Sequence, residues 1–119
     1  MPVRSLSSSV LAWPDARTVD EAVRAWASRA AAERPGVRRI GYFGSYARGD
    51  WGVGSDVDVV IVVGEADSPF GRRALEWDLT ELPVPADVVV YTDGEWRSLD
   101  PRSRIGRTLR EETRWVHGG

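Results

Sequence analysis

Cysteine and lysine are both absent from this 119-residue chain, and histidine occurs once. Without cysteine there are no disulfides, no thiolate metal sites and no cysteine nucleophile, a usage that fits a reducing compartment. Without lysine, all 16 basic residues are arginine. Any cationic help at a phosphate site must then come from guanidinium groups, backbone N–H groups or metal. The lone histidine, His117, has no second histidine with which to share a metal and reads as a surface residue. No apolar run approaches the roughly 20 residues of a membrane helix; the longest, Val57 to Val63, is interrupted by Asp58. The stretch from Met1 to Val10 lacks a continuous apolar segment followed by a small-residue cleavage site. No secretory signal is expected, and the cytoplasm is the expected location.

What is present is an ordinary globular composition, 42% hydrophobic and 29% charged, with a net charge of −2. No global field draws such a chain onto a nucleic-acid backbone, so nucleic acid is not an expected partner. Residues 1–17 show no period and contain Pro2 and Pro14, and are expected to form an irregular arm before a single domain over 18–119.

The pattern along that domain alternates helices and strands. Thr18 and Glu21 form a candidate capping box, and Val19, Ala22, Val23, Trp26, Ala27 and Ala30 recur at helical spacing up to Pro35-Gly36. Val37 to Phe43 reads as a strand leading to Gly44-Ser45, Tyr46 to Gly49 as one helical turn, and Asp50 to Ser55 as a flexible loop. Asp56 to Val63 reads as a central strand covered on both faces. A helix is expected over Phe70 to Leu82 on the stripe Leu75, Leu79 and Leu82, ended by Pro83 and Pro85. Ala86 to Tyr91 is a third strand, Asp93-Gly94 a turn, and Asp100-Pro101 an N-cap and N1 pair opening a helix with Ile105 and Leu109. Arg114 to His117 closes as a short edge strand. The short connection between the first two strands favours antiparallel pairing, so the expected class is α+β, a central mixed sheet flanked by helices.

The chemistry concentrates between Gly44 and Asp87. In a strand, residues i and i+2 share a face, so Asp56 and Asp58 project together with α-carbons about 6.5 to 7 Å apart. Two carboxylates brought to about 5 Å repel by roughly 3 kcal/mol at an effective dielectric near 20. A divalent metal relieves that repulsion, and a metal pair can clamp an in-line phosphoryl displacement. Asp87, opening the third strand, falls beside them if the two valine-rich strands are neighbours, where it could complete a second metal site and help take the proton from an attacking hydroxyl. Gly44-Ser45 lies where a strand turns into a helical segment, so backbone N–H groups and the Ser45 hydroxyl are suited to holding phosphates. Two roles are open to Arg48, a phosphate contact or a pairing with one of the aspartates.

Gly44-Ser45, Ala47-Arg48-Gly49 and, ten residues after the Ser, Ser55-Asp56-Val57-Asp58 resemble the signature of the minimal nucleotidyltransferases of the DNA polymerase β-like superfamily. The resemblance implies that family's fold and the transfer of a nucleoside monophosphate, AMP from ATP being the expected case, to an acceptor hydroxyl with release of pyrophosphate. By that resemblance Asp56 and Asp58 bind Mg²⁺, two ions being expected, Asp87 is the third ligand or base, and Gly44, Ser45 and Arg48 hold the triphosphate. The 32 residues after Asp87 leave no room for an acceptor domain, so the acceptor surface is expected from another copy or another protein. Small members of the family are often encoded beside a HEPN-domain protein as the antitoxin of a toxin pair, and some nucleotidylate that partner.

Other readings compete. The same fold could hold nucleotide or neutralise its partner by contact without turnover, or could modify a small molecule such as an aminoglycoside. Gly52-Val53-Gly54 precedes a strand instead of opening a helix, which rules out a dinucleotide loop. Asp56-Val57-Asp58 runs into valines where an EF-hand needs polar ligands and glycine. Arg102, Arg104, Arg107 and Arg110 read as a solvated helix face. Trp26, Trp77 and Trp115 read as packing residues, while Trp51 reads equally as a stacking surface for a base or partner and as a loop anchor.

Overall fold

A computed structural model describes residues 12–118. Its elements are α1 (Ala16–Glu33), β1 (Val37–Phe43), α2 (Ser45–Arg48), β2 (Val57–Val63), a 3-10 helix (Phe70–Glu76), β3 (Ala86–Thr92), α3 (Asp93–Ser98), α4 (Arg104–Glu112) and β4 (Arg114–His117). The sheet order is β3-β2-β1-β4, with β1 antiparallel to β2 and β4 and β2 parallel to β3. This is the mixed sheet that the short β1–β2 connection predicts. No helix among the described residues is long and apolar enough to cross a membrane.

Alternation along β2 divides the core. Val57, Val59 and Ile61 face α1, whose Val19, Val23, Trp26, Ala27 and Ala30 form the expected stripe. Val60 and Val62 face the other way, under Trp96 of α3 and Leu109 of α4. Asp58 belongs by parity to this second face. There Trp96 meets Tyr91 and Trp115 edge to face, at 6.0 and 5.4 Å between ring centroids, and Arg39 lies over both indoles. Gly41 permits β4 to approach, because a Cβ there would lie 2.7–2.9 Å from Thr113, Arg114 and Trp115.

Four local expectations are corrected. Helix α1 begins at Ala16, not Thr18: the Asp15 carboxylate accepts from the Thr18 amide at 2.9 Å and, being charged, suits the helix N-terminus better than a hydroxyl. Residues 1–11 of the expected arm lie outside the described residues, and 12–15 are non-helical. The stretch Phe70 to Leu82 is not an α-helix, since only the 3-10 helix forms and Leu75 is 81% exposed. Tertiary contacts override the leucine spacing there, because Trp77 must reach Trp26 while Trp26 Nε1 donates to the Asp78 carbonyl. Asp93-Gly94 is no turn but the start of α3, under a reciprocal box between Thr92 and Glu95. Finally, α4 begins at Arg104 with Ser103 as cap, because the Asp100 carboxylate turns back onto the Arg102 amide instead.

Candidate active site

Parallel pairing of β2 with β3 aligns Asp58 with Asp87 in register, so their side chains share the sheet face opposite α1. On its other side Asp58 pairs with Phe43, the last residue of β1, which delivers Gly44 to the same spot. A Cβ on Gly44 would collide with Asp58 Oδ2, and the Gly44 φ is +84°. Steric room and backbone conformation therefore both demand glycine there. Asp56 stands one residue before β2, at the end of the turn formed by Gly52 to Ser55. The expected flexible loop is closed by two bonds in that turn, the Ser55 amide to the Gly52 carbonyl and the Gly52 amide to Ser55 Oγ, with Gly54 at φ +88°.

The half-buried Asp58 is the electrostatic centre of this group. Burial first, then the charges of Asp87 and Asp56, push its carboxyl above the usual carboxylate range, and Arg48 opposes them. Asp56 and Asp87 are exposed. Among the described residues no three histidine or acidic side chains close tightly enough to enclose a metal ion by themselves. The donor set nevertheless suits a hard divalent cation, which takes one or two carboxylates and completes its shell from substrate oxygens.

Gly44 also caps α2. Its carbonyl accepts from the Ala47 and Arg48 amides, which leaves the amides of Ser45 and Tyr46 outside the internal hydrogen bonding of the turn. Gly49, at φ +93°, ends the turn in the left-handed region. Arg48 donates to Asp50 and Glu112, each at 3.1 Å. Arg114 Nε donates to the Ala47 carbonyl at 2.8 Å. Glu112 and Arg114 thus support the turn from the chain's far end. No local pattern in the sequence signals them, because they lie 64 and 67 residues from their partners. Trp51 stacks on Tyr46 at 5.5 Å and 9°, and the Tyr46 hydroxyl donates to the Pro14 carbonyl.

A sequence model of the nucleotidyltransferase domain matches residues 24–116, which contain Gly44, Ser45 and all three aspartates. The chain belongs to the nucleotidyltransferase domain family. A Methanocaldococcus jannaschii protein, provisionally named protein adenylyltransferase, is 39% identical over 57 residues, 47% of this chain. The match spans 61% of that relative's length. Among solved structures, a provisionally named nucleotidyltransferase from Sulfolobus solfataricus superposes with a TM-score of 0.59 at 20% identity, covering 84% of this chain and 80% of the other. A toxin-antitoxin structure with AMP-PNP gives 0.58 at 17% identity, over 81% and 73%. A variant of the toxin-antitoxin MntA-HpeT gives 0.56 at 15%, again over 81% and 73%. At such identities the structures share the nucleotidyltransferase fold, an α+β arrangement around a mixed sheet.

Proposed function

We propose that this nucleotidyltransferase domain transfers AMP from ATP to a hydroxyl of a partner protein, as the antitoxin of a pair whose toxin is a HEPN-domain protein. The observation that carries the reading is the in-register alignment of Asp58 with Asp87 beside the Gly44 turn. The Methanocaldococcus jannaschii relative, provisionally named a protein adenylyltransferase, and the structural neighbours from toxin-antitoxin pairs support it.

In this reading Asp56, Asp58 and Asp87 would hold a divalent metal, Mg²⁺, whose charge would supply neutralisation of the triphosphate and its pyrophosphate leaving group. The Ser45 and Tyr46 amides and the Ser45 hydroxyl bind phosphate oxygens, while Gly44 lets the chain approach them. Asp87, exposed at the strand's start, accepts the proton of the acceptor hydroxyl. A bond forms between the acceptor oxygen and the α-phosphorus, and the bond from that phosphorus to pyrophosphate breaks. Arg48 orders the turn through Asp50 and Glu112.

The test is to incubate the protein with Mg²⁺, each nucleoside triphosphate in turn and the product of the adjacent gene, then weigh both proteins. The expected result is a gain of one or more AMP masses on the partner, abolished by Asp58→Asn with the complex intact. A second reading, neutralisation by contact alone, draws on the absence of a preformed three-carboxylate enclosure among the described residues. Complex formation without a mass change under any nucleotide would establish it.

A further inference from the structure

Among the described residues, the sheet's outer edge at β3 is closed only over half its length. At the C-terminal half, Arg73 Nη1 donates to the Val90 carbonyl and Phe70 lies against Tyr91. At the N-terminal half a groove of about 750 Å³ runs along the strand, lined by Trp77, Leu79, Val84 and Val88 among others. The Val57 amide donates to the Pro85 carbonyl, so by the two-residue alternation of a parallel ladder residues 85, 87 and 89 bond to β2. The amides and carbonyls of Ala86 and Val88 therefore point outward, and none has a backbone partner among the described residues. Among the described residues the only charged ones lining the groove are Asp78 and Asp87; from Ala74 to Trp96 the chain has no basic residue.

We propose that this edge docks the acceptor: an extended, basic, hydroxyl-bearing segment of the partner protein adds as a fifth strand beside Ala86–Val88. Unpaired strand groups recruit another strand, and the acidic lining selects basic flanks. The groove is continuous with the candidate site through Asp87. A residue of the added strand in register with Asp87 projects onto the sheet face that holds Asp58, which brings its hydroxyl to the carboxylates. This inference rests on the protein-acceptor reading above and adds where that acceptor lies.

The experiment uses the product of the adjacent gene as acceptor, with two variants that leave Asp56, Asp58 and Asp87 in place. Val88→Pro removes an outward amide that β2 does not use, a position where an edge strand tolerates proline. Asp78→Lys reverses the charge of the lining at an exposed position. Each should raise the KM for the acceptor at least tenfold with affinity for Mg²⁺-ATP unchanged, and in the wild-type complex the Ala86 and Val88 amides should become protected from hydrogen exchange. An unchanged acceptor KM in both variants, or a complex that leaves those amides unprotected, overturns the proposal. So does a dimer of this chain that Val88→Pro dissolves, since a second copy would then own the edge. Protection at Ala86 and Val88 without any transfer would uphold the docking site and reject the catalytic reading instead.

Discussion

Asp58 is half-buried, with its carboxyl pushed upward by desolvation, Asp87 and Asp56. For a carboxylate whose folded pKa exceeds its unfolded value, ionisation costs stability, and the cost grows as pH rises through both values. Asp58→Asn should therefore be no less stable than the parent at pH 7 without divalent metal, while transfer is lost. Urea titration with and without chelator measures the first effect, and a labelled-ATP assay the second. Gly44 is the converse case. Gly44→Ala meets both a positive φ and the Asp58 carboxylate, so the expected loss is about 1–3 kcal/mol from the backbone alone. Urea unfolding checks it, and an unchanged midpoint would contradict the close approach of Gly44 to Asp58.

At the scale of elements, Arg73 joins the 3-10 helix to the sheet and to α3. Its side chain is only 7% exposed; it donates to the Ser68 and Val90 carbonyls and pairs with Glu95 through two bonds of 2.6 and 3.2 Å. That guanidinium, then the Thr92 amide, hold the Glu95 carboxyl down to about 2, from 4.5. A depressed carboxylate stabilises the fold fully above its unfolded pKa and loses that contribution as pH falls through the folded one, here between about 5 and about 2. The Glu95 side chain is 41% exposed, and discounting for solvent screening leaves about 1–2 kcal/mol. Glu95→Gln should flatten the acid limb of the stability curve by that amount, as followed by tryptophan fluorescence. This anchor also explains the failed helix expectation. Leucine spacing predicted an α-helix over 70–82, but the buried Arg73 and the Trp26–Trp77 contact dictate where that segment's residues must lie.

Across the whole molecule the sheet separates two apolar clusters, one under α1 and one under α3 and α4. Val23 and Leu109, both fully buried, belong to opposite sides. Leu109→Ala should cost about 3 kcal/mol and Val23→Ala about 2 kcal/mol. With the sheet between them, the double variant should equal the sum within about 0.5 kcal/mol by urea unfolding. A larger departure would mean that the faces share packing through β2.

Much of this architecture was written locally. The period-3.6 stripe of α1 and the valine runs of β2 and β3 depend only on which neighbours share a face, and so these three elements and the mixed sheet were determined by the sequence itself. The Gly-Ser turn belongs with them, since a positive φ beside a strand end can be met by glycine alone. Tertiary structure decided what depends on distant partners: that Asp87 falls in register with Asp58, that Arg48 pairs with Glu112, and that Trp51 rests on Tyr46. It also decided that residues 70–82 bend around Arg73. In each case the deciding contact joins groups whose spacing along the chain carries no period, so only packing, charge and hydrogen-bond satisfaction in the folded state could select it.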